Sequence, residues 1–316
     1  MRNRKLTLAL LAAVLSAPSA YGIVIRDDMY TDAIFSSPIT AVGQVLFGGG
    51  GCSGSLLSTG LHFLTAAHCV GSFNSTAIVN LHNGLQSFSY TSASIAVHPS
   101  FVNINSGNDI AIITLNQVAD PSIQRLSLYT GSSELNQLAT VVGLGRQGKG
   151  TTGWTTGSFL TSNGLLQRRQ GTNVVDSITG TVLMFDFDDP LNAARSTIGS
   201  ALPTAHEAIL ALGDSGGPVL IDGKIAGINS FISCLGGITT ICSTAIDVNG
   251  DLNSSYGERW GATRVSVFTS WLNSQMGQAT SDPLGIPEPS SWAMMIGALG
   301  AGLYRLRSRR GGAARN

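Results

Sequence analysis

The feature that most constrains this chain is a rhythm. Short runs of β-branched or alternating apolar residues recur as "AIVNLH", "ASIAVH", "DIAIITL", "LATVVGLG", "TVLMFDF" and "PVLIDGKIAGINSF", and Gly, Asn, Asp or Ser separates them. Runs of this length with turn residues between them predict strands, and no helical segments alternate with them as a parallel sheet would need. The 39 glycines and the 11% of charged residues fit many tight turns, while 43% hydrophobic residues suffice for a large core. The rhythm predicts an all-β body. One stretch departs from it: "RVSVFTSWLNSQM" (264–276) places Val267, Phe268, Trp271 and Leu272 at helical spacing and predicts a single terminal helix on that body.

Charge narrows the function. The formal net charge is zero, but the basic residues cluster at both ends. Between residues 23 and 280, ten Lys and Arg stand against sixteen Asp and Glu, a net charge of −6. An acidic body without a basic stripe argues against nucleic-acid binding. At the start, Arg2, Arg4 and Lys5 precede an apolar run over 6–15 and small residues at Ala17, Ser19, Ala20 and Gly22, the order of an export signal. Export permits disulfides, and the spacing of Cys52, Cys69, Cys234 and Cys242 suits two bridges better than a zinc site.

Three stretches carry chemistry. "LTAAHC" places His68, "GNDIAIITL" places Asp109 ahead of an apolar strand, and "LGDSGGPV" sets Ser215 in a glycine-rich turn. A serine hydroxyl is a weak nucleophile near neutrality. It needs a base to take its proton, a carboxylate to hold that base in the right tautomer, and backbone N–H groups facing the developing oxyanion.

In the order His, Asp, Ser these motifs resemble the trypsin/chymotrypsin family of serine proteases, over roughly residues 23–276. "GCSGSLLS", "VHPSF", "GLG" at 143–145 and "TRVS" extend the likeness. The resemblance implies two antiparallel six-stranded β-barrels with one C-terminal α-helix, a cleft between the barrels, and no cofactor. It gives Ser215 the role of nucleophile, His68 that of general base then acid, and Asp109 that of orienting His68. The N–H groups of Gly213 and Ser215 form the oxyanion hole. Cys52 matches Cys69 as the bridge pinning the histidine loop. Ala211 stands where the family has a cysteine, which leaves Cys234 to pair with Cys242. In the family a free Ile-Val terminus pairs with the acid beside the nucleophile. Here that implies Ile23 with Asp214, with signal peptidase cutting before Ile23 and no basic activation site. Alignment puts Ile209 at the floor of the specificity pocket, Ser230 and Phe231 on its wall, and Ile232 at its narrowed mouth. An apolar pocket of that kind implies a polypeptide substrate cut after small or medium apolar residues. The rival reading is a catalytically silent matrix or adhesion protein on a protease scaffold.

Other matches are refused. "GLGRQG" (143–148) fits a dinucleotide fingerprint and "GLGRQGKG" approaches a P-loop, but no helix follows to hold phosphates. "DVNGDLNSSYGE" (247–258) has acids or amides at positions 1, 3, 5 and 12 of a calcium loop, yet Leu252 stands where such loops need glycine. It reads as a surface turn, as does the cluster Asp186, Asp188 and Asp189. His62, His82, His98 and His206 lie in no family motif.

The chain thus divides into a signal peptide (1–22), a catalytic domain (23–276), a proline-broken linker (277–286) and a tail (287–316). The tail joins Pro-Glu-Pro to 13 apolar or glycine residues and an arginine cluster, too short to span a bilayer comfortably, where about 20 residues are needed. It resembles the PEP-CTERM sorting signal of Gram-negative bacteria. That likeness implies a transient transmembrane hold of the segment in the inner membrane, an exosortase-type sorting peptidase as partner, and a final secreted or cell-surface location.

Overall fold

The computed structural model describes residues 22–29, 36–48, 50–70, 76–104, 107–155, 167–238 and 241–279. After a two-residue strand β1 (Val24–Ile25), six strands follow: β2 (Val42–Phe47), β3 (Gly50–Leu56), β4 (His62–Thr65), β5 (Ile78–His82), β6 (Ser87–Val97) and β7 (Ala111–Leu115). They close into an antiparallel barrel in the order β2-β3-β4-β7-β6-β5. Val45, Leu56, Phe63, Leu81 and Ile113 are fully buried. Closure needs close packing at β3, where a Cβ on Gly54 would lie 2.2 Å from the Phe63 ring.

The second half contains β8 (Leu138–Gly143), β9 (Gly148–Lys149), β10 (Gly153–Trp154), β11 (Arg169–Val174), β12 (Ser177–Thr179), β13 (Val182–Asp186), β14 (Ala208–Ile209), β15 (Pro218–Ile221), β16 (Lys224–Ser233) and β17 (Arg259–Arg264). Its main sheet has seven strands in the order β11-β8-β15-β16-β17-β13-β12, and β10-β9-β1-β14 form a small sheet beside it. The core includes a stacked pair, Phe185 and Trp260, with ring centroids 3.8 Å apart.

The expectation of two six-stranded barrels is corrected here: one barrel is closed with six strands, and the other half is an open seven-stranded half-barrel. The β12–β13 hairpin adds a seventh strand at one edge, so β11 and β12 are left as ends of the sheet. Near that opening a side chain replaces the ladder, as Asn173 Nδ2 donates to the Asp186 carbonyl at 2.7 Å.

Among the described residues two α-helices accompany the strands, α1 (Ala67–Val70) and α2 (Thr269–Ala279). The chain forms two compact units, 1–273 and 274–316. Within the first, the His98 ring meets Phe268 and Trp271 edge-on at 4.9 and 5.0 Å. Among the described residues no helix is long and apolar enough to cross a membrane. The expected transmembrane segment, with its inner-membrane retention and its exosortase-type partner, is therefore withdrawn. The tail that suggested it, 287–316, lies outside the described residues, as does the signal segment 1–21.

Candidate active site

Strand β4 ends at Thr65, and the chain turns at once into α1, which carries His68. The Cys52–Cys69 disulfide ties this turn to β3. Asp109 sits just before β7 and is fully buried. One of its oxygens, Oδ1, accepts the His68 backbone N–H at 2.8 Å, and Oδ2 faces His68 Nδ1 at 2.7 Å. The second half of the molecule grips the same residue. Ser230 Oγ on β16 donates to Asp109 Oδ2 at 2.5 Å, and Thr263 Oγ1 on β17 donates to the Asp109 carbonyl at 2.9 Å. The result is a hydrogen-bonded Ser–Asp–His set consistent with serine hydrolase chemistry. A carboxylate on Nδ1 fixes the ring and leaves Nε2 to exchange a proton.

Ser230 lies on the carboxylate side of His68, where it orients Asp109. Ser215 lies elsewhere on the same cleft, which has a volume of about 320 Å³ and is lined by His68, Ser215, Ser230 and Phe231 among others. The Ser215 loop is fastened to the first barrel through Ser53: the Ser53 N–H donates to the Ser215 carbonyl and Ser53 Oγ to the Gly213 carbonyl, both at 2.8 Å. The Leu212 carbonyl accepts the Arg146 N–H at 2.8 Å. Because a trans peptide points its C=O and N–H in opposite directions, the Gly213 N–H faces away from that contact. Gly213 (φ 98°) and Gly216 (φ 82°) take left-handed conformations that glycine adopts without a Cβ penalty.

Asp214, fully buried beside the serine, accepts the Ile23 N–H on Oδ2 at 3.0 Å, the Ala211 N–H on Oδ2 at 2.7 Å and the Gly145 N–H on Oδ1 at 2.6 Å. Burial lifts its carboxyl to about 7 despite these bonds. The glycines of "GLG" make room for it, since a Cβ on Gly143 would lie 2.0 Å from Asp214 Oδ1. This accounts for the glycine pattern that mimics a nucleotide fingerprint.

Among the residues aligned to the specificity pocket, Ser230, Phe231 and Ile232 line the cleft. Ile209 is fully buried in β14, paired with Val24, and is not among the lining residues. Its neighbours Leu210, Ala211 and Leu212 line the cleft instead, joined by Ile104, Trp154, Ile238 and Leu252, which the motifs did not single out. The bond from Ser230 to Asp109 was also missed. Its only trace in the sequence is a polar pair, Asn229 and Ser230, inside the apolar run of β16.

Both disulfides are formed, Cys52–Cys69 and Cys234–Cys242. Of the remaining histidines, His62 and His82 are buried, and burial lowers the pKa of His62, His82 and His98. The acidic clusters are not surface turns. Asp186, Asp188, Asp247 and Glu258 are buried, Asp186 Oδ2 accepts the N–H groups of Thr197 and Ile198, and Asp189 pairs with Arg195 at 3.1 Å.

A family model described as Trypsin matches residues 34–249. The chain belongs to the trypsin family. The protease is 28% identical over 232 residues to a chymotrypsin of Phaedon cochleariae, a match covering 70% of each chain. It resembles the solved structure of neuropsin, a serine protease of mouse brain, with a TM-score of 0.51 at 20% identity over 76% of this chain and 96% of that one. At that identity the neuropsin likeness speaks for the fold alone. Family membership together with the Ser–Asp–His set identifies an enzyme with serine endopeptidase activity.

Proposed function

We propose that Ser215 is the nucleophile of a secreted endopeptidase whose catalytic domain spans residues 23–276. The observation that carries this reading is the His68–Asp109 pair. With Nδ1 engaged by the carboxylate at 2.7 Å, Nε2 is the nitrogen left for a serine, and Ser215 shares the cleft with that ring. Ser215 Oγ bonds to the scissile carbonyl carbon while its proton passes to Nε2. The carbonyl oxygen becomes an oxyanion beside the Gly213 and Ser215 N–H groups, where one lost donor costs about 10²–10³ in rate. Collapse breaks the C–N bond, and His68 gives its proton to the departing amine. Water then repeats the sequence on the acyl-enzyme.

A preference for small or medium apolar side chains is supported by the lining of Leu210, Ala211, Phe231 and Ile232, and by the absence of a carboxylate among the described lining residues. Processing before Ile23 is supported by the position of its nitrogen, already 3.0 Å from Asp214 Oδ2. The Pro-Glu-Pro tail's likeness to a sorting segment rests on the sequence alone and carries none of this reading.

A fluorophosphonate probe tests the nucleophile. Labelling of the processed enzyme that disappears in Ser215→Ala is the expected result. Folded, processed protein that takes no label would favour the silent scaffold instead. A peptide-library profile dominated by Arg or Lys would refute the apolar preference.

A further inference from the structure

The loop 247–258 holds a polar group with no protein partner. Glu258 is fully buried and Asp247 almost so, and a carboxylate oxygen of each lies within 4.8 Å of the other. Glu258 Oε1 accepts the N–H groups of Asn253 and Ser255, at 2.8 and 2.9 Å, whereas Glu258 Oε2 is buried without a hydrogen-bond partner. Ser255 Oγ stands between the two acids, 3.0 Å from Asp247 Oδ2 and 3.2 Å from Glu258 Oε1. A hydroxyl has one proton, so it can donate to only one of them at a time. Two buried carboxylates facing each other across a single shared hydroxyl leave negative charge uncompensated, and burying such charge is costly unless it is paired or coordinates a metal.

Cys242 Sγ also lies within reach, but it is bonded to Cys234 and offers no thiolate. The remaining donors are all oxygens, which suits a hard cation. Two oxygens on one calcium ion stand at most about 5 Å apart at metal–oxygen distances of 2.3–2.6 Å, and the carboxylate oxygens here meet that bound, lying within 4.8 Å. Leu252 is no obstacle to this loop. Gly250 (φ 84°), Ser254 (φ 68°) and Gly257 (φ 94°) make the left-handed turns, so no glycine is required at 252.

We propose that Asp247 and Glu258, with Ser255 between them, bind one divalent cation of calcium type, and that the ion braces the cleft wall. The same loop presents Leu252 to the cleft, its Asn253 carbonyl accepts the Trp154 N–H at 2.8 Å, and Ser254 Oγ donates to the Leu210 carbonyl. Trp154 and Leu210 are themselves cleft residues.

The test uses processed enzyme stripped with a chelator and titrated with Tb³⁺, read by tryptophan-sensitised emission, then competed with Ca²⁺ and Mg²⁺. Trp260 lies two residues from Glu258 as an antenna. We expect one saturable site per chain, displaced by Ca²⁺ in preference to Mg²⁺ and weakened about 100-fold in Glu258→Gln and Asp247→Asn. Ser255→Ala, which removes only a hydroxyl, should weaken it about 10-fold and serves where the acid variants fail to fold. Wild-type melting should also rise with added Ca²⁺. Folded wild type that shows neither sensitised emission nor a Ca²⁺-dependent rise in melting would overturn the proposal and leave a shared proton holding the pair. So would an affinity unchanged in the folded variants. None of these readouts depends on Ser215.

Discussion

The closed barrel and the open sheet bury different chemistry. In the first, Asp109 is the one buried carboxylate among the described residues, and ladders of backbone bonds pair most of the strand groups. The second half and the segment leading into it bury Glu134, Asp186, Asp188, Asp189, Glu207, Asp214, Asp247 and Glu258. Most of these accept backbone N–H groups from irregular loops: Asp186 from Thr197 and Ile198, Glu207 from Thr204, Asp214 from Gly145 and Ala211, Asp247 from Asn249 and Gly250. A barrel that closes pairs its own groups. A sheet that stays open carries longer loops, and buried N–H groups there need other acceptors. The histidine is thus held by a regular scaffold, while the serine loop and cleft wall are held by individual carboxylates.

Changes where the halves meet should have the largest effects. Asp109→Asn would leave His68 in the wrong tautomer and lower kcat by about 10⁴, with little change in the urea midpoint. A loss below tenfold would mean the first half does not set the base. Next comes Ser230→Ala, which removes the open sheet's bond to that aspartate. Hydrogen bonds to charged groups contribute about 1.5–3 kcal/mol, so kcat should fall about 10- to 100-fold with KM nearly unchanged, and Ser230→Thr should restore most of it. An equal loss in KM alone would place Ser230 in substrate binding only.

The smallest effect is on stability against pH. Burial, reinforced by Asp186, lifts the Asp188 carboxyl to about 7, and burial also raises Asp176 and Glu207. These groups keep protons in the folded chain that the unfolded chain releases above about pH 4. Stability from them is therefore full below pH 4 and lost as pH rises through about 7. Urea midpoints should fall between pH 5 and pH 8, and Asp188→Asn should flatten the decline. A slope unchanged by that substitution would remove Asp188 from the account.

The sequence made some parts of this arrangement legible and hid others for physical reasons. Strands β5, β6 and β7 of the closed barrel were legible because short β-branched runs stand between turn residues, whereas β2, β3 and β4 carry no such run. The pairing of His68 with Asp109 was legible because the chemistry dictates residue types. The helix over 264–276 was seen, although its first residues, 265–268, form a 3₁₀ turn before α2 begins at Thr269. The seventh strand was hidden because "SIT" is short and polar, and only its pairing with β13 makes it a strand. Family alignment puts Ile209 at a pocket floor. Its pairing with Val24, more than 180 residues earlier in the chain, decides its burial, and no local pattern encodes that. The loop 247–258 looked like surface because its composition is polar, and Asp251 is indeed exposed, yet Asp247 and Glu258 are buried close to each other.

Strand β3 has one last consequence. Cys52 is bonded to the cysteine beside His68, and its immediate neighbour Ser53 holds the Ser215 loop by two hydrogen bonds. One linkage from His68 to the Ser215 loop thus crosses the backbone of β3 at a single peptide unit, whose Cα atoms stand about 3.8 Å apart. Both segments are therefore anchored on neighbouring residues of one strand. Strand β3 serves as a shared gauge bar, setting where the histidine turn and the serine loop attach to the first barrel.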